Sequence, residues 1–261
     1  MPFSIFNPLE QFDIIPLAFI GSWWIDKKLY ILSFTNSHFF LFLTFLIFLF
    51  FYFLVFFFMN YTVKPKIFQY FLEQIFLFIN QLLLENITDN KISRFFFPWI
   101  FFIFLSITLM NLSGAVPYSF TVTAHLIITF TIALCVFIGV TIIGIKKYKI
   151  EIFQLFLPKG ISLLMAPFLV LIELLSYFIK VISLSVRLFA NMMSGHILLK
   201  VIIGFAWLMS TSSIFLYYCH FVPIIILFLL IGLEIGVALI QAYIFTTLIC
   251  IYLNDVLNIN H

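Results

Sequence analysis

A small set of ionisable and amide-bearing residues interrupts the otherwise apolar C-terminal half of this sequence. An ionisable group at the centre of a lipid bilayer costs at least about 2.5–3.5 kcal/mol, so such groups are usually kept where they form an ion or proton pathway. The chemistry that these residue types indicate is therefore the transfer of ions or protons. The residues are Glu173, Lys180, Arg187, Asn191, His196, Lys200, Glu234 and Gln241.

The spacing of the first members of this set predicts one stripe along a helix. Glu173, Lys180 and Arg187 are seven residues apart, so each is displaced by only about 20° around a helix from the one before. Asn191 lies four residues after Arg187, which places it on the same stripe. We expect a polar seam on a long helix.

A second seam is predicted further along the chain, where Glu234 and Gln241 again differ by seven residues. His196 departs from the first stripe. It lies nine residues after Arg187, half a turn out of phase on an ideal helix, so we expect it to face elsewhere, on the side of Lys200. One helix would then serve two separate aqueous pockets on different sides of Arg187.

Some of these residues have a simpler interpretation. Lys180 and Lys200 fit side chains that extend toward a membrane interface, and Asn191 fits a plain hydrogen bond between helices. His125 lies near a predicted span end, where interfacial hydration explains it. Arg187 has no comparable alternative, because arginine is effectively never deprotonated.

The composition excludes a soluble enzyme. Of the 261 residues, 65% are hydrophobic and 9% are charged, whereas soluble chains carry roughly 25% charged residues. The net charge of +3 is too small to indicate a nucleic-acid-binding protein. The three cysteines stand alone in apolar segments, which favours packing over a disulfide framework or a metal site.

Apolar runs of about 20 residues predict an all-α polytopic membrane protein. It consists of upright transmembrane helices, one amphipathic interfacial helix and a C-terminal hairpin of two long, steeply tilted membrane-embedded helices. We expect a single membrane domain over residues 1–261. Its parts are an N-terminal segment (1–38), a first span (39–59), the amphipathic helix (67–90), second and third spans (95–145) and the hairpin (160–253).

The unusual length of the last two helices follows from two long runs. Residues 168–209 contain no proline and as one helix would be about 63 Å long. Cutting this run at the loop-like residues 191–196 leaves residues 197–209, which are too few to cross a bilayer. One long tilted helix is therefore favoured over two ordinary spans, and residues 214–253 predict a second.

Basic residues predict the orientation. They cluster in the loops after the first span, before the second and after the third, and the positive-inside rule assigns that face to the matrix or cytoplasm. The N-terminus is then outside and the C-terminus inside. The first 30 residues fit neither a secretory signal nor a transit peptide, which is compatible with synthesis inside an organelle. The basic residues that cluster in these loops are Lys64, Lys66, Lys91, Arg94, Lys146, Lys147, Lys149 and Lys159.

The stretch SVRLFANMMSGH, residues 185–196, resembles the signature of subunit a of the F-type ATP synthase, especially its mitochondrial form. PLEQF at residues 8–12 is similar to the N-terminus of plant and protist members. NLSG at residues 111–114 and VPYSFT at residues 116–121 resemble the motif of the second span. The resemblance covers nearly the whole chain, and Lys200 departs from it where some relatives place a second polar or histidine ligand.

This resemblance implies a static, non-catalytic proton channel beside a rotating ring of c subunits, coupled to ATP synthesis on other subunits. The expected partners are the c-ring, the peripheral stalk, other membrane-sector subunits and the lipid bilayer, with no nucleic acid and no directly bound nucleotide. No cofactor and no metal are expected. The expected location is the mitochondrial inner membrane, with the N-terminus in the intermembrane space and the C-terminus in the matrix.

The resemblance also implies a role for each polar residue. Arg187 is the essential charge that faces the carboxyl group of each ring subunit. His196 and Glu234 form a relay on the outer side, and Glu173 is the acceptor on the inner side of two offset half-channels. The amides that hold the guanidinium are Asn191 and Gln241.

Two other functions remain open from the sequence. One is a self-contained ion or proton antiporter, or a proton-pumping subunit of a respiratory chain. Such transporters are typically built from inverted repeats around broken helices, and this sequence contains neither. The other is an insertase-like membrane scaffold with a polar groove, which does not require glutamates at heptad spacing.

Overall fold

The computed structural model describes residues 9–25, 28–58, 67–87, 90–116, 119–149, 165–212 and 218–257. Within these ranges it contains six α-helices, one two-stranded hairpin and two short 3-10 turns. Each of the five segments predicted from the sequence includes residues outside these ranges. They are 1–8 and 26–27 in the N-terminal segment, 59 in the first span, 88–89 in the amphipathic helix, 117–118 between the second and third spans, and 160–164 and 213–217 in the hairpin.

The N-terminal segment, for which the sequence predicted no regular structure, contains a β-hairpin. Strand β1 (Pro16–Ile25) pairs antiparallel with strand β2 (Lys28–Thr35), and a 3-10 turn (Glu10–Phe12) precedes them. Beyond the last strand the backbone N–H of Asn36 donates to the Ile15 carbonyl oxygen at 3.1 Å. The hairpin is therefore closed at its base by the start of the first helix.

The first two helices lie close to their predicted bounds. Helix α1 (Asn36–Phe58) begins three residues before the predicted span 39–59, and the side chain of its first residue, Asn36, accepts the backbone N–H of Ser37 at 2.9 Å. Helix α2 (Ile67–Asn86) ends before the predicted bound of the segment 67–90. It is not one of the helices that are long and apolar enough to cross a membrane.

Helices α3 (Asn90–Gly114) and α4 (Leu126–Tyr148) are the second and third spans, predicted within residues 95–145. Helix α3 begins earlier than predicted and continues through Pro98, which removes one backbone hydrogen bond. Helix α4 extends past the predicted end because its last turn holds lysines, whose charge is favourable beside the terminal carbonyl groups.

Helices α5 (Ala166–Ser212) and α6 (Phe221–Leu257) form the C-terminal half. The prediction of one long helix is confirmed, since α5 continues without a break through residues 191–196, where the alternative placed a loop. Its 47 residues correspond to about 70 Å. Pro223 lies in the first turn of α6, where proline is tolerated. The tilt of both helices in a bilayer stays a prediction.

Five of the described helices are long and apolar enough to cross a membrane: α1, α3, α4, α5 and α6. Each exposes large apolar side chains at its surface, which in water would be unfavourable and in lipid is expected. The chain is therefore an all-α polytopic membrane protein, as predicted, with the short hairpin as an addition.

The described chain separates into two compact units, and the prediction of a single domain stays a prediction. The first unit comprises Met1–Phe50, Ser106–His125 and Phe189–Ile240. The second unit comprises Phe51–Leu105, Leu126–Leu188 and Gln241–His261.

In the first unit residues 120–124, the later part of the connection between α3 and α4, are buried, which is unusual for a connection. Its 3-10 turn (Val122–Ala124) is buried at all three residues, and the ring of Phe120 lies 6.1 Å from that of Phe40. A Cβ atom at Gly114 would lie 2.7 Å from Thr121 Cγ2. Helix α3 therefore ends in a glycine because the chain returns against it.

In the second unit aromatic rings hold the helices together. The Phe76 and Phe97 rings lie 4.4 Å apart, and the Phe137 and Tyr177 rings lie 4.1 Å apart. Lys147 Nζ donates to the Leu257 carbonyl oxygen at 2.8 Å. This hydrogen bond ties the end of α4 to the end of α6 and satisfies a terminal carbonyl of the helix.

Candidate functional site

His196 on α5 and Glu234 on α6 lie in direct contact inside the first unit. His196 Nε2 lies 3.2 Å from Glu234 Oε1, and the two side chains are only 15% and 7% exposed. Neither atom has an aligned hydrogen-bond partner among the described residues. Buried polar atoms of this kind are normally met by ordered water. The arrangement suits a proton that passes between the imidazole and the carboxyl group, directly or through one water.

Gly195 provides the space for this carboxyl group. A Cβ atom at this position would lie 3.1 Å from Glu234 Oε1, which is tighter than most contacts that real Cβ atoms make. A glycine inside a helix is less favourable than alanine by roughly 0.5–1 kcal/mol. The missing side chain therefore has a steric reason here, the close approach of Glu234.

A cavity of about 210 Å³ adjoins the same carboxyl group. Asn191, Ser194 and Gly195 line it together with Glu234, and the rest of the lining is apolar. The volume is sufficient for several water molecules, and the polar groups that would hold them are present.

The orientation of His196 away from the stripe of Arg187 and Asn191 stays a prediction, although both His196 and Asn191 lie close to Glu234. The two residues are about 140° apart around an ideal helix, yet His196 contacts Glu234 and Asn191 lines a cavity with it. Gly195 lies between them on the helix surface and lets the glutamate reach both. The first unit therefore brings together three of the six predicted site residues.

Three further polar residues of the first unit have buried side-chain atoms without a hydrogen-bond partner among the described residues, which the sequence interpretation missed. Asn111 Nδ2 donates to the Ala238 carbonyl oxygen at 3.3 Å, while Asn111 Oδ1 and Thr123 Oγ1 have no hydrogen-bond partner in the described part of the chain. His125 Nε2 is also buried and unpartnered, and burial lowers the pKa of its imidazole below 6.5. The interpretation of His125 as a hydrated interfacial residue stays a prediction.

Arg187 lies in the second unit and is exposed at the surface of the chain. Leu184, Ser185 and Leu188 around it are buried, so Arg187 lies at the edge of the buried face of α5. No carboxylate of the described residues forms an ion pair with Arg187. The structure thus presents a permanent cation, with no ion pair among the described residues, on an apolar helix.

Lys180 lies on the ring of Tyr252, a residue that the sequence did not single out. Its Nζ atom is 5.1 Å from the ring centroid, within the range of a cation–π interaction. Tyrosine is common in membrane helices, so no sequence signal distinguished this one.

Glu173 and Gln241 also belong to the second unit. Glu173 is half-buried and forms no ion pair among the residues that the structure describes. Gln241 is buried, as are Glu234, Ala238 and Ala242 along α6. The predicted seam of Glu234 and Gln241 therefore lies on the buried face of its helix.

Among the described residues no group of three His, Cys, Asp or Glu side chains is close enough together to hold a metal ion. The expectation that the protein needs no metal and no cofactor stays a prediction.

Five apolar spans, a buried histidine–glutamate pair and an exposed arginine within the spans define a class of protein. It is a polytopic membrane protein with ionisable groups inside its apolar spans. The model of the ATP synthase A chain family matches residues 38–254, and the chain belongs to this family.

Three relatives illustrate the similarity. The chain is 45% identical to ATP synthase subunit a of Marchantia polymorpha over 255 residues, 97% of this chain and 99% of the relative. It is 42% identical to ATP synthase subunit a of Brassica napus, covering 97% of each chain. It is 42% identical to ATP synthase subunit a of Chondrus crispus, covering 99% and 98%. The resemblance found in the sequence is confirmed.

Proposed function

We propose that this chain is the stationary, proton-conducting subunit of the membrane sector of an F-type ATP synthase. It forms no ATP itself and couples proton flow to the rotation of a ring of c subunits, held in place by the peripheral stalk and other membrane-sector subunits. Its membership of the ATP synthase A chain family supports this role, as do relatives named ATP synthase subunit a. The proposed location is the mitochondrial inner membrane.

The observation that carries the proposal is the exposed Arg187 without a carboxylate partner among the described residues. Such a cation in lipid costs at least about 2.5–3.5 kcal/mol. A carboxyl group on a passing ring subunit would remove that cost, and it would ionise there because a nearby cation favours the charged form. The same cation repels a hydrated proton and so prevents a direct leak.

The remaining site residues are assigned to two offset half-channels. His196 and Glu234, in buried contact at 3.2 Å, relay protons on the outer side, and the adjoining cavity gives water access to the glutamate. Glu173 accepts protons on the inner side. The neutral amides that orient the guanidinium without adding charge are Asn191 and Gln241.

The basic residues support the proposed orientation, with the N-terminus in the intermembrane space and the C-terminus in the matrix. Lysines and arginines that flank spans are retained on the matrix side by the positive-inside rule. Those that the structure describes as exposed are Lys91, Arg94, Lys146, Lys147 and Lys149.

Substitution of Arg187 tests the proposal in the assembled ATP synthase. Arg187→Ala should abolish proton-driven ATP synthesis in liposomes while the complex still co-purifies with its ring. Arg187→Lys should fail or nearly fail, because lysine loses its proton more readily and lacks the planar fork. The matched control is Ile179→Ala, an exposed residue two turns earlier on α5. Unimpaired synthesis by the assembled Arg187→Ala complex would refute the proposal.

The antiporter interpretation is tested separately. The purified chain alone, reconstituted in liposomes, should show no proton or cation exchange, because its two half-channels communicate only through a ring carboxyl group. Exchange by the chain alone that is lost in Arg187→Ala would favour a self-contained transporter.

A further inference from the structure

The N-terminal 3-10 turn lies against the His196–Glu234 pair. The rings of Phe12 and His196 have centroids 6.5 Å apart and planes at 78°, an edge-to-face arrangement that is favourable for aromatic rings. Both residues belong to the first unit. The imidazole is thus held by an aromatic ring as well as by the carboxyl group that faces its Nε2 atom.

This turn is anchored and not a loose end of the chain. Asn36, the first residue of α1, donates from Nδ2 to the Asp13 carbonyl oxygen at 2.9 Å, and its Oδ1 accepts the backbone N–H of Ile15 at 3.3 Å. The backbone N–H of Asn36 donates in turn to the Ile15 carbonyl oxygen. Three hydrogen bonds therefore fix the chain directly after Phe12.

Gln11 gives the turn a polar function beside the aromatic one. Gln11 directly precedes Phe12 in the chain. Its Nε2 atom is buried and has no hydrogen-bond partner among the described residues. A buried amide N–H without a protein partner calls for a water molecule. The carboxyl groups of Glu10 and Asp13, on either side, are exposed.

We propose that this N-terminal turn is part of the proton-access site. Phe12 is a positioning residue that keeps the imidazole of His196 facing Glu234, and Gln11 holds a water molecule on the path to that pair. The titratable groups around the imidazole are Glu234 on α6, Lys200 one turn further on its own helix, and Glu10 and Asp13 of the turn. The inference rests on the proposed function of the pair as a proton relay.

The test uses the assembled ATP synthase in liposomes, with the pH on each side of the membrane varied independently. Phe12→Ala should lower the rate of proton-driven ATP synthesis about two- to tenfold, the range expected for loss of an aromatic pair. It should also shift the pH dependence on one side only, the side on which His196→Gln acts. Gln11→Leu should slow synthesis on the same side. The control is Ile14→Ala, whose side chain is exposed.

A purely structural role would lower the amount of assembled complex without changing the pH profile per complex. If Phe12→Ala does not assemble, Phe12→Leu, which keeps the apolar volume without the ring, should shift the same profile. This inference would be overturned, and the proposed function left intact, if the assembled Phe12 and Gln11 variants kept the wild-type pH profile while His196→Gln altered it. A wild-type profile in His196→Gln as well would overturn both.

Discussion

The exchange of Gly195 for alanine tests the geometry of the histidine–glutamate pair by a single added methyl group. The new Cβ atom would lie 3.1 Å from Glu234 Oε1, so the carboxyl group must withdraw by a few tenths of an ångström. Its contact with His196, now 3.2 Å, lengthens if the withdrawal is directed away from the imidazole. The helix itself gains, because alanine is more favourable than glycine in a helix by about 1 kcal/mol.

Coulomb's law gives the magnitude. When the imidazole is protonated and the carboxyl group is ionised, their two unit charges at 3.2 Å attract by about 5 kcal/mol at an effective dielectric constant of about 20. Lengthening the distance by about 0.4 Å weakens this attraction by about 0.6 kcal/mol, which corresponds to about a threefold change in an equilibrium constant. We therefore expect Gly195→Ala to slow proton-driven ATP synthesis about threefold.

The assay is ATP synthesis by the reconstituted complex at a fixed pH difference and membrane potential, normalised to the amount of assembled ring. The matched control is Gly139→Ala on α4, where the added Cβ atom would make an ordinary contact of 3.6 Å with Trp99. Equal and unchanged rates in both variants would show that the carboxyl group has other room. Gly195 would then not fix the geometry of the pair.

Three further changes probe other parts of the chain. Gly114→Ala should destabilise the assembled protein by about 1–3 kcal/mol in thermal inactivation, because its Cβ atom would lie 2.7 Å from the buried Thr121; unchanged stability would contradict this contact. Tyr252→Phe should keep the stacking of Lys180, whereas Tyr252→Leu should lose about 0.5–2 kcal/mol of stability; equal losses in both would assign the effect to the hydroxyl group. Burial lowers the pKa of His125 below its usual 6.5, so the unfolded chain binds a proton more readily and stability should fall as the pH drops through that value. Thermal inactivation between pH 5.5 and 7.5 should show a smaller pH dependence for His125→Gln, and an unchanged dependence would show that this imidazole is accessible.

Periodicity was sufficient to predict those features that depend on a single helix. The heptad spacing of Glu234 and Gln241 predicted a common face, and both side chains are buried on α6. The absence of proline between residues 168 and 209 predicted an unbroken helix, which α5 is. Both features depend only on the geometry of a single helix, so residue spacing in the sequence is sufficient to predict them.

Features that depend on the register between helices were beyond this reasoning. His196 and Glu234 lie 38 positions apart, and their contact requires a particular register of α5 against α6. That register follows from tertiary packing, including the close approach at Gly195. Residue spacing alone therefore predicted that His196 faces the side of Lys200, and only the family resemblance predicted that it acts together with Glu234.

The N-terminal turn is a second feature that could not be predicted from the sequence. Residues 9–36 carry no apolar period of a helix, so the sequence marked them only as a segment before the first span. Their position depends on the pairing of β1 with β2 and on the hydrogen bonds of Asn36. Neither leaves a periodic signal, and the contact of Phe12 with His196 is a consequence of both.

The ionisable groups differ in burial, and this difference indicates which of them lack an ion-pair partner within the described chain. The pair of His196 and Glu234 is internal and nearly inaccessible, so a proton shared between them adds little net charge to the apolar interior. Arg187 has the opposite environment: it is exposed on an apolar helix and has no carboxylate beside it in the described chain. Because a lone guanidinium in lipid is costly, the isolated chain is electrostatically incomplete at this position. Under the proposed function, the carboxyl group of a passing ring subunit would supply the missing charge at Arg187.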